Sequence, residues 1–201
     1  MSPRVPFPRI EGDAYYTPDD VAEACVRTIA PRMLRLRDPI PRIIEPSVGG
    51  GAFVRAVNAV GLRDVLGVDI NPRATGLDAC PAMFVGDFTD LHADVAIPRD
   101  RHAWIVGNPP YKHALEHVEH AISLAMMMRA DPTLPAGGVG FLLRLAFLEG
   151  KARAPFWRAY PPTEVHILTR RPSFTGGKTD SCAYAFFVWC AGEREPFRWI
   201  P

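Results

Sequence analysis

The sequence has few cysteines, and no two of them form a C-x-x-C pair. Cys25, Cys80, Cys182 and Cys190 lie far apart along the chain. This spacing argues against a zinc site and against a disulfide framework. We interpret the four residues as small buried apolar side chains of a protein from a reducing compartment, and we expect no bound metal.

The sequence also lacks a long apolar run and a strong net charge. No stretch approaches the length of a membrane span and the first residues lack the apolar core of a signal peptide, so we expect a cytoplasmic protein without membrane contact. The net charge is +1, yet residues 144–178 hold seven basic residues against two acidic ones. This local excess predicts a phosphate-facing surface, although a solvated charged face would show the same composition.

The length and composition fit one soluble globular domain, with 201 residues, 48% hydrophobic and 22% charged. Residues 1–12 contain three prolines and little periodicity, which predicts an extended N-terminal arm. We therefore expect a single domain over residues 13–201.

The most informative stretch runs from Val106 to Tyr111 and reads Val-Gly-Asn-Pro-Pro-Tyr. The apolar run before it predicts a buried strand, which the two prolines end because proline has no backbone N–H. Ligands of open α/β sheets bind at the carboxyl ends of strands. The stiff turn would therefore present the Asn108 amide and the Tyr111 ring to a flat group that carries an amine. A proline-rich turn with a satisfied Asn and a half-buried Tyr is the simpler alternative.

A helix start precedes this stretch at Tyr16-Thr17-Pro18-Asp19-Asp20. Thr17 is a suitable cap, Pro18 suits the first helical position, and the two acids complement the positive end of the helix. A helix amino terminus also suits a carboxylate ligand.

A glycine-rich turn follows a short predicted strand, and the sequence from Glu45 reads Glu-Pro-Ser-Val-Gly-Gly-Gly. Its glycines would let the backbone approach a ligand before a helix that begins near Ala52. The turn is not a strict G-x-G-x-x-G, so its pattern alone is weak evidence of a nucleotide site.

Asp69 ends a second predicted strand and follows Gly49 by 20 residues. A Rossmann-like unit places its ribose-binding acid at this distance, and a carboxylate can accept from two ribose hydroxyls at once. The alternative is an acid that caps the turn at Asn71-Pro72. Asp87 and Phe88 follow a third strand in the same way.

Three histidines, His113, His117 and His120, fall on one face of a predicted helix from about Ala114 to Arg129. Three ligands along one straight helix span too much length for a single ion, so we expect surface histidines.

The loop between the last two predicted strands is long for a hairpin connection, which makes it a candidate binding loop. It carries Arg170, Arg171, Phe174 and Lys178. Its cations suit phosphate contacts, and Phe174 is either a stacking residue or a hydrophobic anchor for the loop. The pattern as a whole predicts an α/β sandwich of seven strands, mostly parallel, with one antiparallel hairpin strand at the end of the sheet and a short polar tail after it.

These motifs, in the order Tyr-Thr-Pro, glycine loop, Asn-Pro-Pro-Tyr, resemble those of the S-adenosylmethionine-dependent amino-methyltransferases. The resemblance extends from Tyr15 to Trp189 and is strongest to the adenine-N6 DNA methyltransferases of the gamma arrangement. It implies a Rossmann-like class I methyltransferase domain that binds S-adenosyl-L-methionine and methylates the exocyclic amine of adenine.

The resemblance also implies roles for individual residues. The expected cofactor ligands are Tyr16, Thr17, Pro18, Glu45, Pro46, Ser47, Gly49, Gly51, Asp69, Ile70, Asp87, Phe88 and Asn108. The catalytic set is Asn108, Pro109, Pro110 and Tyr111. The Asn108 oxygen and the Pro109 carbonyl would accept from the target amine, while Tyr111 would stack on its ring. Phe174 would stack on a base rotated out of the duplex, and Arg170, Arg171 and Lys178 would contact phosphates.

One departure from the family is the lack of a region large enough for a separate target-recognition domain. A protein partner or a homodimer would then supply recognition, or the substrate would be RNA or a single strand. A protein-glutamine methyltransferase shares the Asn-Pro-Pro-Tyr motif and is the nearest enzymatic alternative. A module that binds cofactor or nucleic acid without turnover is the alternative from another class.

Overall fold

A computed structural model describes residues 16–34, 40–97, 101–128, 137–174, 179–191 and 198–200. The predicted N-terminal arm and Lys178 lie outside these residues. The helices are α1 Asp19–Met33, α2 Ala52–Ala59, α3 Ala93–Ala96, α4 Ala114–Met128 and α5 Ala154–Ala159. The strands are β1 Arg42–Glu45, β2 Val65–Asp69, β3 Ala82–Val85, β4 Ala103–Gly107, β5 Gly138–Arg144, β6 Glu164–Leu168, β7 Tyr184–Cys190 and β8 Arg198–Ile200.

The described strands form one sheet in the order β3-β2-β1-β4-β5-β7-β6-β8. All neighbours are parallel except the two pairs that include β7. The seven predicted strands are present with one antiparallel strand among them, as expected. The expected position of that strand was wrong, because β7 lies between β5 and β6 and not at the end of the sheet. The expected polar tail was also wrong, since residues 198–200 form β8 on the outer edge of β6.

Two apolar clusters cover the two faces of the sheet, so the parallel strands are buried on both sides as their apolar runs require. One cluster contains α1 and α2, and the other contains α4 and Phe156 of α5. In α1 the buried positions repeat with helical spacing and include Cys25, Ile29 and Met33. Full burial of side chains such as Ile29 and Met33 contributes roughly 1.5–3 kcal/mol each.

Helix α1 is tied to the rest of the fold at both ends. In its first turn Asp19 accepts a hydrogen bond from Arg55 Nη2 at 2.6 Å. In its last turn Arg32 pairs with the buried carboxylate of Glu164, whose other oxygen lies 2.8 Å from His166 Nε2. These contacts fix the chain segment that enters the helix relative to the sheet.

The strand order reverses between β1 and β4, which pair with each other and lead in opposite directions across the sheet. Ligands bind at such a switch point, outside the carboxyl ends of the strands. The described part of the chain contains no helix long and apolar enough to cross a membrane.

Candidate active site

A cleft of about 450 Å³ lies at the carboxyl ends of β1, β2, β3 and β4. The segments that follow these strands line the cleft together, although the segments are distant from one another in the sequence. Twelve predicted site residues line it: Tyr16, Pro46, Ser47, Gly49, Asp69, Ile70, Asp87, Phe88, Asn108, Pro109, Pro110 and Tyr111.

A second, smaller cavity of about 30 Å³ adjoins the cleft and contains Thr17 and Glu45. The two cavities share Tyr16, Ser47, Gly49 and Asn108. Other predicted site residues line neither cavity: Pro18, Gly51, Arg170, Arg171 and Phe174.

Two glycines of the glycine loop lie close to other parts of the protein. Gly51 has φ +78°, and a Cβ there would lie 2.9 Å from the Cα of Gly76. A Cβ on Gly49 would lie 3.1 Å from the Tyr16 ring. Gly51 therefore allows a close backbone crossing, and Gly49 makes room for an aromatic ring at the mouth of the cleft. Gly51 lines neither cavity, and its expected contact with a ligand stays a prediction.

Asp69 accepts hydrogen bonds from two backbone N–H groups at the end of β2. Its Oδ2 accepts from the Gly49 backbone N–H at 2.8 Å, which fastens the glycine loop to the end of β2. Its Oδ1 accepts from the Asn71 N–H at 2.8 Å, which is the turn-capping alternative. Each carboxylate oxygen has a further lone pair, so the side chain can still accept from a ligand in the cleft.

Glu45 carries a buried carboxyl at the end of β1. The residue is 2% exposed, and neither oxygen has a hydrogen-bond partner among the described residues. Burial raises its pKa well above the usual value, the negative charge of Asp69 adds to the rise, and the Ser47 backbone N–H opposes it only in part. A Cβ on Gly107 would clash with Glu45 Oε1, so glycine at this position of β4 is required for the carboxyl to fit. A buried acid of this kind is suited to a cationic ligand.

Asn108 is held by Thr17. Its Nδ2 donates to Thr17 Oγ1 at 3.0 Å, whereas its Oδ1 is buried without a partner in the described part of the chain. The expectation that Thr17 caps α1 was wrong. Pro18 occupies the cap position with extended backbone, and its carbonyl accepts from the Ala22 N–H at 3.1 Å.

Tyr111 contacts a cation and aromatic rings, and the sequence did not predict these contacts. The guanidinium carbon of Arg144 lies 4.6 Å from its ring centre, and the Tyr184 ring centre lies 5.7 Å away. Arg144 Nε donates to the Tyr184 hydroxyl at 3.3 Å, and that hydroxyl donates to Asp180 at 2.7 Å. Burial raises the pKa of the Tyr111 phenol, which therefore stays neutral.

Phe174 is the hydrophobic anchor of its loop in this structure. It is 8% exposed and packs edge-on against Tyr111 and Tyr184, with ring centres 6.3 and 5.2 Å apart. A ring buried in this way does not present a face for stacking on a base. Arg170 and Arg171 are exposed, and Arg170 lies 4.0 Å from Asp20.

The far side of the cleft is formed by Ile70, Asp87 and Phe88. Phe88 is 1% exposed and packs against His117 and His120, so its ring lies below the cleft surface; Ile70, 73% exposed, offers the apolar surface instead. Asp87 Oδ1 accepts from the backbone N–H and hydroxyl of Thr89 at 2.8 and 2.7 Å, and these bonds lower its pKa.

The expected surface position of the three histidines was wrong for His117, which is buried and lines the cleft with His113. Its Nδ1 lies 3.1 Å from the His113 carbonyl oxygen. Because a carbonyl only accepts, Nδ1 donates and Nε2 remains an acceptor. Burial lowers the His117 pKa, which favours this neutral form. Within the described ranges, no three His, Cys, Asp or Glu side chains form a group that could hold a metal ion.

No protein-family model matches this sequence, and no curated protein sequence matches it. Solved structures do match it. A chain of a type I R-M (restriction-modification) system aligns with 94% of this chain at 18% identity and a TM-score of 0.63. A proposed RNA methyltransferase from Pyrococcus horikoshii aligns with 94% at 14% identity and a TM-score of 0.62. The modification subunit of a proposed type I restriction enzyme from Vibrio vulnificus aligns with 93% at 17% identity and a TM-score of 0.56.

This chain spans 45% and 46% of the two restriction-system proteins, but 91% of the Pyrococcus protein. Identities in this range are evidence of the fold alone. Together with the strand order and the single antiparallel strand, the likenesses confirm the predicted α/β fold, a Rossmann-like class I methyltransferase sandwich.

Proposed function

We propose that this chain transfers a methyl group from S-adenosyl-L-methionine to the exocyclic N6 amine of adenine in DNA. The observation that carries the proposal is the Asn108 amide, whose oxygen is buried at the switch-point cleft and has no partner among the described residues. Burial of such an acceptor costs free energy unless a ligand donates a hydrogen bond to it.

The residues around the cleft fit the cofactor. Glu45 offers a buried carboxyl for its ammonium group, and Asp69 offers carboxylate lone pairs for its ribose hydroxyls. Ile70 presents apolar surface for its adenine ring. When bound, S-adenosylmethionine supplies a methyl group on a positively charged sulfur, an already activated donor.

The residues after β4 fit the acceptor. The lone pair of an aromatic amine is delocalised into the ring, so the amine is a poor nucleophile. Two acceptors directed at its hydrogens, Asn108 Oδ1 and the Pro109 carbonyl, would favour a pyramidal nitrogen with a localised lone pair. Tyr111 would stack on the base and hold it at a fixed distance from the methyl donor. Positioning and electrostatics then account for most of the acceleration.

A nucleic-acid substrate agrees with the excess of basic residues between 144 and 178 and with the restriction-system proteins among the structural likenesses. Arg170, Arg171 and Lys178 remain the proposed phosphate contacts. Because a base inside a duplex is inaccessible, the target adenine would have to rotate out of the stack. We propose that residues 13–201 form the catalytic unit and that a protein partner or a homodimer supplies target recognition.

Adenine in RNA is the second candidate substrate. It is favoured by the structural likeness to the proposed RNA methyltransferase from Pyrococcus horikoshii, which aligns with 94% of this chain. RNA and single-stranded DNA both present adenine without the cost of disrupting a duplex.

The test uses the purified chain, S-adenosylmethionine with a radiolabelled methyl group, and separate samples of duplex DNA, single-stranded DNA, RNA and protein. Hydrolysis to nucleosides and chromatography identify the labelled product. We expect N6-methyl-2′-deoxyadenosine. Label in N6-methyladenosine would favour the RNA candidate, and label in methylglutamine would favour the protein alternative. Cofactor binding without transfer to any polymer would indicate a binding module.

A further inference from the structure

We infer that Thr17 is a positioning residue that orients the Asn108 amide, and not a ligand of the cofactor. The inference rests on the proposed function of Asn108 as the acceptor for the target amine. It reassigns a residue for which the sequence suggested two other roles, a helix cap and a contact to the methionine end of the cofactor.

The first step is the contact itself. Thr17 Oγ1 lies 3.0 Å from Asn108 Nδ2, and the bond joins residues 91 positions apart in the chain. Pro18, and not Thr17, occupies the cap position of the helix that follows. Its hydroxyl is therefore committed to the segment that follows β4.

The second step is the chemistry of a primary amide. The two ends of the Asn108 side chain have nearly the same shape, but only the oxygen end can accept from an amine. A half-turn about the last side-chain bond would place two N–H donors against the N–H donors of the substrate. A partner that holds the nitrogen end on the side away from the substrate therefore fixes the productive orientation.

The third step is the choice between the two orientations. A hydroxyl can donate or accept, so Thr17 alone would tolerate either end of the amide. Glu45 lies in the same small cavity as Thr17 and Asn108. Once Glu45 is ionised, as binding of the cofactor ammonium group requires, its negative charge favours the N–H end of the amide over its oxygen. Thr17 holds the amide, and the charge of the ionised acid supports the observed direction.

The position of Thr17 is restricted by features other than its contact with Asn108. Pro18 restricts the backbone that follows it, and the ion pair of Asp19 with Arg55 ties the first turn of α1 to α2. The amide thus docks on a preformed hydroxyl, as expected for a positioning residue.

The experiment compares Thr17→Val, which keeps the shape but loses the hydroxyl, with Thr17→Ser, which keeps the hydroxyl. Thr28→Val is the matched control, because Thr28 lies on α1 and its hydroxyl donates to the Cys25 carbonyl at 2.7 Å, away from the cleft. The measured quantities are kcat, KM, the Kd of a cofactor analogue such as sinefungin, and the hydrogen exchange of the Asn108 side-chain amide by NMR.

For Thr17→Val we expect kcat to fall about tenfold, which is the effect of one lost hydrogen bond that orients the reacting amine. We expect the Kd of the analogue to stay within about twofold, since no cofactor contact is lost. The Asn108 side-chain protons should exchange faster, and Thr17→Ser and Thr28→Val should match the wild type in all of these measurements.

A raised analogue Kd in Thr17→Val at unchanged kcat would overturn the inference in favour of a cofactor ligand, and unchanged exchange would overturn it as well. If the wild-type chain transfers no methyl group, the proposed function fails, but the exchange comparison still tests the contact. If Thr17→Val does not fold, a failure of Thr17→Ser to keep wild-type exchange and kcat would contradict the inference on its own.

Discussion

Arg144 and Tyr111 lie in contact, with the guanidinium carbon 4.6 Å from the centre of the ring. This contact depends on the pairing of the strands. Because β4 and β5 are parallel neighbours, their carboxyl ends lie side by side, and these ends carry Tyr111 and Arg144. One face of Tyr111 is thereby covered by a cation, and the rings of Tyr184 and Phe174 pack around the same side chain. The hydrogen-bond chain from Arg144 through Tyr184 to Asp180 holds that cation in place.

Arg144→Met should reduce kcat and leave cofactor affinity unchanged. The substitution keeps the length of the side chain but removes the charge over the ring and the donor to Tyr184. A cation–π contact of this kind is worth roughly 0.5–2 kcal/mol, so we expect a loss of about 2- to 30-fold. Arg63→Met is the control, since the exposed Arg63 precedes β2 at the opposite end of the strands. Equal losses in both variants would show that net charge, and not support of Tyr111, was measured.

Cofactor affinity should increase with pH in the acidic range. Burial raises the Glu45 pKa, so more of the free protein carries a protonated carboxyl in the acidic range than an ordinary glutamate would allow. An ammonium ligand requires the ionised form, and binding therefore releases a proton. Calorimetric titration with the analogue from about pH 5.5 to about pH 7, where an α-amino group stays charged, measures the slope. Glu45→Gln should bind more weakly and flatten the slope. A wild-type affinity independent of pH would exclude Glu45 as the ligand.

Asp69→Ala should weaken cofactor binding about 10-fold or more. The change removes a charge-assisted acceptor from the cleft, worth roughly 1.5–3 kcal/mol, and also releases the Gly49 N–H. Asp64→Ala is a matched control on the segment before β2, where Asp64 pairs with Arg42 and Arg101. It should lower stability but leave the Kd unchanged. The idea fails if Asp69→Ala binds the analogue as tightly as Asp64→Ala.

Stability should decrease as the pH falls below about 6.5, in part because of His102. Its side chain is buried, and neither ring nitrogen has a partner within the described ranges. Burial lowers the His102 pKa in the folded state. As the pH falls, the unfolded chain therefore binds a proton at His102 before the folded chain does. The contribution of neutral His102 is thus complete above the ordinary histidine pKa and is lost below it.

His102→Leu should remove this pH dependence and stabilise the fold by about 1–2 kcal/mol at pH 7, because an unpartnered polar group is replaced by an apolar one. Urea denaturation at pH 5 and pH 7.5 measures both effects. A slope against pH that is the same in the wild type and in His102→Leu would contradict the assignment.

The sequence was sufficient to predict seven of the eight described strands and the edge at which the site forms. Apolar runs that end in Glu45, Asp69 and Asn108 predict buried parallel strands, and the carboxyl ends of such strands meet at one edge of a sheet. The contacts around Tyr111, on the side of the cleft proposed to bind the target base, were harder to predict. Contact between Arg144 and Tyr111 depends on which strands are neighbours, which periodicity does not encode.

Other features were hidden for local reasons. The hydroxyl of Thr17 can cap a helix or reach a distant amide, and only the tertiary position of α1 decides between them. Phe174 lies in a polar, basic loop, so its burial depends on contacts with Tyr111 and Tyr184 from other segments. Strand β8 has three residues, too few for an alternating pattern, and it forms because the edge of β6 is open to it.

Methyl transfer by Asn108→Ala, measured beside its affinity for the cofactor analogue, tests the central claim most directly. Loss of the buried oxygen should lower kcat by about 100-fold or more, the size of effect that follows loss of one preorganised polar contact to the reacting group. The analogue should still bind within about threefold of the wild type. Near-normal turnover in Asn108→Ala with intact binding would contradict the assignment of Asn108 and the mechanism built on it.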